Sequence, residues 1–342
     1  MAGLWKNIRW HYLCHLLQGA VSLSLCGATS SCIFDGEGDC IDWLSFTIEN
    51  DWRACSDAAP EGMAYIFFPE DGGEPWRFDF AGRDAGNVNM ALGKYMFLSY
   101  NDDTYNILFS GEDSYDSYKA YTSEKDLLGS IPQAERGKSM PRGTGERTVA
   151  CPDMMWGCAY GCFSLQYDGV RYAQYATIQS DDNINFSPDF ALTAIQRPLT
   201  ARYSFRIEDI ENLSGVKSMS AALSGMAGAM LLASGEKEAY PSTLSFGVSV
   251  IDASTAGGKF CTFGIPGEPV ADNILSLFVV IKDGHRFCYQ FDVTDQVRSA
   301  PDPMNVSLIV SGLKLENPDT GSGTGFEVGV DDWKTVIVNI SG

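Results

Sequence analysis

The sequence predicts an all-β protein built as two tandem antiparallel β-sandwich domains, over residues 32–190 and 191–342, behind a signal segment at 1–31. Three observations carry that prediction. Short runs alternate apolar and polar residues at period two, as half-buried strands do. Clusters of Gly, Asp, Asn and Pro interrupt the runs at regular intervals, the pattern of sheet-on-sheet folds. The strand pattern then restarts at Arg202, after a stretch bracketed by Pro188 and Pro198.

The chain opens on a basic start (Lys6, Arg9), an apolar stretch from Leu13 to Leu25, and Gly27-Ala28-Thr29-Ser30-Ser31 leading into Cys32. That order is a secretory signal, too short and too interrupted to span a bilayer. It puts Cys32 where a bacterial lipoprotein is cut and lipidated. Two or three acyl chains, at about 0.8 kcal/mol per buried methylene, hold a folded domain at a membrane. Thr29 stands where leucine is usual, and His15 and Gln18 interrupt the apolar core. Plain cleavage near Ala28 and a retained N-terminus therefore stay open as alternatives. Cys26 has Leu23 at the right distance, but Leu25 directly before it is too bulky for the peptidase.

The first strand after Cys32 is expected at about Trp43 to Trp52, where Leu44-Ser45-Phe46-Thr47-Ile48 alternates. Met63-Ala64-Tyr65-Ile66-Phe67 and the run from Lys94 to Tyr100 follow. Asp71-Gly72-Gly73, Gly82 to Asn87 and Asn101-Asp102-Asp103 separate them. Residues 129–148 lack apolar periodicity and hold several Gly, Pro, Arg and Lys residues, so a long exposed loop is expected there. In the second half, Tyr203-Ser204-Phe205-Arg206-Ile207 alternates again. An apolar strand running up to Lys282 meets Asp283-Gly284, and Arg286 to Phe291 returns. Asp-Gly supplies the positive φ angles of a type I′ hairpin turn. Final strands are expected at Asn305 to Leu313 and Gly325 to Ile340, with Trp333 at a bend. Val216 to Ala233 fits neither pattern cleanly. Its Val216, Met219, Leu223, Met226 and Met230 fall at helical spacing, and period alone leaves helix and strand equally open. No internal repeat is visible.

Composition narrows the function. With 45% hydrophobic and 20% charged residues the chain is a folded protein and not a disordered one. Its formal charge of −20, made more negative by loss of Lys6 and Arg9, repels nucleic acid and anionic headgroups. Nucleic acid is thereby excluded as a partner, and membrane contact is expected through the lipid. Beyond Cys32 stand Cys40, Cys55, Cys151, Cys158, Cys162, Cys261 and Cys288, an odd number that leaves at least one thiol free. Cys151, Cys158 and Cys162 are closely spaced, but no histidine lies near and the spacing is not a paired C-x-x-C. Disulfides or buried thiols are expected there instead of zinc.

Catalytic signals are sparse. After residue 31 the single histidine is His285, at the exit of the hairpin turn, which removes the usual histidine triads, dyads and zinc hydrolase sites. Asp319-Thr320-Gly321-Ser322 copies an aspartic protease motif, yet that chemistry needs two such loops and no second is found. Gly137-Lys138-Ser139 resembles the end of a phosphate loop, but Pro132 replaces the required glycine. Asp181, Asn183 and Asn185 have calcium-loop spacing, with Phe186 and Leu192 in place of the glycine and the glutamate; a loose calcium site is the functional reading. Tyr100, Tyr105, Tyr115, Tyr118 and Tyr121 lie in one acidic region and are read either as sandwich packing or as a sugar-stacking surface. No enzyme, cofactor or catalytic residue is expected.

Several stretches, in order, resemble the fimbrillin-like surface lipoproteins of Bacteroidales. They are Cys32-Ile33-Phe34-Asp35 with Glu37, Asp39 and Cys40, Pro60-Glu61-Gly62-Met63 leading to Phe67-Phe68-Pro69, Gly93-Lys94-Tyr95 and Pro152-Asp153-Met154-Met155. Leu223 to Gly228, Phe291 to Gln296 and Phe326 to Trp333 continue the match. The resemblance implies two transthyretin-like sandwiches and a strand within Val216–Ala233. It implies that the acids after Cys32 direct the lipoprotein to the outer face of the outer membrane. The implied role is a fimbrial component, accessory or anchor protein, assembled with other subunits by strand exchange. Relatives mature by cutting after a basic residue near the first strand, which here is Arg53; the alternative is an ordinary loop arginine and a strand that stays for good. The competing reading is a surface glycan-binding lipoprotein of a nutrient-uptake system.

Overall fold

In a computed structural model the chain is described over residues 43–137, 145–167, 174–178, 191–267, 271–316 and 333–338, all within one compact unit that begins at Asp42. The described residues form 22 strands. The first half holds β1 (Trp43–Asp51), β2 (Gly62–Pro69), β3 (Trp76–Ala81), β4 (Asn87–Ala91), β5 (Gly93–Asn101), β6 (Ile107–Ser110), β7 (Lys119–Thr122), β8 (Arg147–Ala150), β9 (Trp156–Tyr167) and β10 (Gln174–Ile178). Next come β11 (Ala191–Ile195), β12 (Arg197–Pro198), β13 (Ala201–Glu208), β14 (Val216–Ala227), β15 (Ala229–Leu231) and β16 (Pro241–Gly247). Last are β17 (Ser249–Val250), β18 (Ala256–Thr262), β19 (Ile274–Ile281), β20 (Arg286–Asp292), β21 (Asn305–Ser311) and β22 (Trp333–Val338), with a five-residue helix α1 (Thr294–Arg298).

The sheets stack as two sandwiches. In the first, β11-β1-β4 faces β10-β9-β5-β2-β3 across a core of Phe46, Tyr65, Phe67, Phe97 and Phe163. In the second, β17-β18-β13-β21 faces β22-β20-β19-β14-β16-β8 across Phe205, Leu223, Phe246, Leu277 and Phe291. Both have one plan. The opening strand, β1 or β13, pairs antiparallel with β4 or β18 on one side and parallel with β11 or β21 on the other. Opposite it lie β5-β2-β3 or β19-β14-β16. This is a repeat of topology without a repeat of sequence. Two segments cross the expected line at 190/191: β8 adds to the second sandwich beside β16, and β11 completes the first beside β1.

Two expectations are corrected in detail, the turn type and the 129–148 loop, and two open readings are decided. Within Val216–Ala233 the chain is strand over Val216–Ala227 and Ala229–Leu231, as the resemblance implied and the spacing left open. From Ser220 onward β14 is buried on both faces between β16 and β19, so no alternation is required of it. Gly225 breaks its register at φ +72°, where a Cβ would meet the Asp272 carbonyl oxygen at 2.7 Å.

The turn at Asp283-Gly284 is not type I′. Only Gly284 has positive φ, the Gly284 N–H donates to the Ile281 carbonyl, and the Ile281 N–H donates to the His285 carbonyl. That closes a three-residue loop, a type I turn plus a left-handed glycine.

The segment 129–148 is not wholly exposed loop. Ile131, like Leu128 just before it, is buried against Ala222 and Phe278 on the outer face of β14 and β19, and the segment runs into β8. That sheet face is apolar and needs a cover.

The tyrosines form no open platform. Tyr100 and Tyr118 are buried with their hydroxyls 2.6 Å apart, because Met230 and Leu232 from the second half close over them, and Tyr105 alone of the five is largely exposed. Of the last predicted strand, Trp333–Val338 is described and forms β22.

Candidate functional site

The site the sequence singles out within the described residues is β1 and its exit at Arg53. Alternation sets β1's two faces. Leu44, Phe46 and Ile48 enter the core, while Ser45 and Thr47 donate hydrogen bonds to the Asn89 and Asn87 side chains at 3.2 and 2.6 Å. β1 is no edge strand. It lies between β4, which it pairs with over Trp43–Thr47, and β11, which it pairs with over Thr47–Asp51.

Polar contacts lock its far end. Asn50 Nδ2 donates to Tyr65 Oη at 2.5 Å and to the Arg83 carbonyl at 2.6 Å. Asn50 Oδ1 accepts from Gln196 Nε2 at 2.9 Å, and the same Gln196 nitrogen reaches Ser99 Oγ at 2.9 Å. Gln196 is fully buried. Its carbonyl accepts from the Cys55 thiol at 3.3 Å. Trp52 donates to the Arg83 carbonyl at 3.2 Å, with the Arg83 guanidinium 5.0 Å over its ring.

Arg53 opens a single 3-10 turn, Arg53–Cys55, closed by the Cys55 N–H on the Trp52 carbonyl. Its side chain is 89% exposed and Nε donates to Asp51 Oδ1 at 2.9 Å. This side-chain hydrogen bond holds the Asp51 carboxyl below the usual carboxylate range and raises the Arg53 guanidinium. The guanidinium is thus open to a trypsin-like or arginine-specific protease. The peptide bond after it would have to leave its turn to enter a protease cleft.

The remaining sequence candidates are scattered. Cys32, Cys40, the Asp181-Asn183-Asn185 spacing and Asp319-Thr320-Gly321-Ser322 lie outside the described residues, as do Lys138 and Ser139. His285 is an exposed turn residue with Nδ1 3.0 Å from Asp283 Oδ1. The six described cysteines are free thiols. Cys151 lies by the Ser245 carbonyl, Cys158 by Ser99 Oγ and Cys162 by Glu70, so the closely spaced three have different surroundings. Asn50, Tyr65 and Gln196 were not visible as a group in the sequence, because contacts over such separations leave no local pattern.

Residues 39–247 match the family described as a domain of unknown function (DUF5119). A Bacteroides ovatus protein named as fimbrium anchoring subunit Fim4B is 33% identical over 82 residues, or 24% of this chain. That match spans 25% of the relative's length. The crystal structure of a protein described as an adhesin, also from Bacteroides ovatus, superimposes with a TM-score of 0.58 at 19% identity, over 87% of this chain and 99% of that one. Mfa2, a fimbrial anchor protein of Porphyromonas gingivalis, gives a TM-score of 0.46 at 12% identity, over 80% of this chain and 92% of that one. The adhesin shares the fold described above. The resemblance to fimbrillin-like proteins read from the sequence stands with these findings.

Proposed function

The chain belongs to the DUF5119 family, and from that premise we propose that it is an anchoring or adhesive accessory protein of a fimbrium at the cell surface. The observation that carries this reading is the 33% identity to the fimbrium anchoring subunit over 82 residues, within a fold shared with an adhesin. Fold alone would not assign a role. Cys32 is the lipid site, and the lipid holds the chain in the outer membrane with its folded part facing outward. The chain carries no enzymatic activity; a single histidine after residue 31, placed at a hairpin turn, supports that part.

Arg53 is where maturation would cut, and the cut would free β1 from between β4 and β11. The hydrogen bonds that Asn50 donates to Tyr65 and to the Arg83 carbonyl, and the one it accepts from Gln196, favour a β1 that stays in place, which suits an anchor or tip better than a polymerising shaft subunit. Other fimbrial subunits are the partners, and strand exchange with them would require β1 to leave its place between β4 and β11.

The test is fractionation of cells producing the tagged chain. The wild type is expected in the outer membrane, digestible by protease added to intact cells, and cross-linkable to fimbrial shafts. Cys32→Ala is expected to leave the membrane fraction or accumulate uncut. Fatty-acid labelling of Cys32→Ala at the wild-type level would refute the lipid site. A chain never cross-linked to a fimbrial subunit would refute the role.

A further inference from the structure

A cleft of about 480 Å³ opens beside the start of β1, between the β2–β3 connection and the β4–β5 turn. Trp76 and Leu92 line its apolar side. Trp76 is half-buried and meets Trp43 edge-on, ring centroids 5.5 Å apart at 82°, and Trp43 is itself 47% exposed. The polar side carries Glu70, Asp71 and Glu74 with one cation, Lys94. Lys94 Nζ is spent on Glu70 at 3.0 Å. Among the described residues Asp71 and Glu74 have no hydrogen-bond or ion-pair partner and stand exposed. Between them Gly72 and Gly73 turn the chain at φ +86° and +121°, and a Cβ at either would meet nothing within 4 Å, so the approach is open.

We propose that this cleft binds one or two residues of an uncharged glycan, a sugar ring lying against the Trp76 indole with its hydroxyls donating to Asp71 and Glu74. Ionised carboxylates only accept hydrogen bonds, and neighbouring sugar hydroxyls offer paired donors, which makes charge-assisted bonds. An indole supplies a flat apolar face of about the size of a pyranose, and a cleft of this volume falls in the range of small-molecule sites. Three carboxylates against one ammonium disfavour an acidic sugar or a phosphate. The Lys94 ammonium within the lining weakens the pull on a second cation, which separates a sugar from a lysine or arginine side chain. The polar lining and the single half-buried ring do not suit a lipid. The proposal rests on the surface location argued above only for where such a glycan would be met.

The test is a tryptophan-fluorescence and calorimetric titration of the full chain in mild detergent. The probes are maltose, cellobiose, lactose, mannobiose and N,N′-diacetylchitobiose, with digalacturonic acid and spermidine as charged counterparts. At least one neutral disaccharide is expected to bind saturably, and to bind equally in about 0.5 M sodium chloride, where exposed charge attraction is screened. Asp71→Ala with Glu74→Ala, both on an exposed connection, is expected to weaken binding about tenfold or more through lost charge-assisted bonds. Trp76→Ala is expected to abolish it. Binding of none of the neutral probes overturns the proposal, as does binding that survives the double variant. Binding of spermidine instead, lost in salt, also overturns it and makes the cleft a cation site. Binding by the purified chain reads the cleft alone, so its failure leaves the fimbrial reading standing, and loss of that reading leaves the binding intact.

Discussion

Gln196 Nε2 donates to Asn50 Oδ1 at 2.9 Å across 146 residues of sequence, joining the end of the first strand to the link between β11 and β12 of the same sandwich. Gln196 is completely buried, and Asn50 also holds Tyr65 and the Arg83 carbonyl. A buried amide with every bond made is stabilising chiefly because any vacancy is costly. The pair therefore sets how firmly β1 is held, and with it whether the chain can give up that strand.

Gln196→Leu fills the same space, leaves Asn50 Oδ1 short of its donor, and leaves Ser99 Oγ with the Cys158 thiol alone. Each orphaned buried group costs roughly 1–3 kcal/mol. The urea midpoint should fall accordingly, with hydrogen exchange at Thr47 to Asp51 rising more than in the second sandwich. An unchanged midpoint would mean that water satisfies the site.

Gln296 closes the outer edge of β21. Its Oε1 accepts the Ile309 N–H at 2.8 Å and its Nε2 donates to the Ile309 carbonyl at 2.9 Å, imitating one rung of a neighbouring strand. An unpaired edge invites another chain, so such a cap is protective. Gln296→Ala should cost about 1 kcal/mol of stability, and the Ile309 amide should exchange faster while amides of β13 stay protected. Unaltered protection at Ile309 would show that the cap contributes nothing.

Stability should also fall in alkali. Cys288 is buried among Phe278, Val280 and Trp333, and burial pushes its thiol from 9.0 up to about 12. The folded state keeps a proton that the unfolded chain releases above pH 9. Its contribution is thus complete below pH 9 and is lost as pH climbs toward 12, at no more than about 1.4 kcal/mol per pH unit for one group. Denaturation midpoints should be level from pH 7 to 9 and decline beyond. Burial raises the Cys151 and Cys158 thiols in the same way, so Cys288→Ala should make the decline shallower without removing it, and an equal slope in both proteins would rule Cys288 out as a contributor.

What the sequence disclosed follows from where burial is one-sided. In β13 every second residue is buried and those between are partly or fully exposed, and β21 alternates likewise, so their period was readable. From Ser220 onward β14 has both faces covered, so Ala, Ser, Leu and Met carry no period and a chance helical spacing competes. For Tyr100 and Tyr118 the sequence left packing and a sugar-stacking surface side by side, because the side chains that cover them, Met230 and Leu232, come from the other half. The place of the Asp283-Gly284 turn was legible and its type was not, since the closing pair Ile281 and His285 decides it. At the site, Arg53 announced itself as a basic residue after a strand. The strand's position between two neighbours, and the amides that fasten it, are long-range facts that no window of sequence contains.

The sharpest test of β1 is to cut after Arg53 and ask whether the strand leaves. Leu44, Phe46 and Ile48 are each almost wholly buried, and three such side chains are worth roughly 5–9 kcal/mol. Main-chain pairing on both sides and the Asn50 contacts add to that. The Arg53 side chain is open to a protease, and a site-specific cut needs only the single turn Arg53–Cys55 to open around the peptide bond that follows it. The peptide ending at Arg53 should then co-elute with the rest on size exclusion, and separate only in denaturant. Gln196→Leu should lower the denaturant needed. Spontaneous loss of the peptide, followed by uptake of a synthetic strand or growth of oligomers, would instead mark β1 as displaceable and make this chain a polymerising subunit. Retention leaves the slot between β4 and β11 filled, and a filled slot cannot accept another subunit's strand.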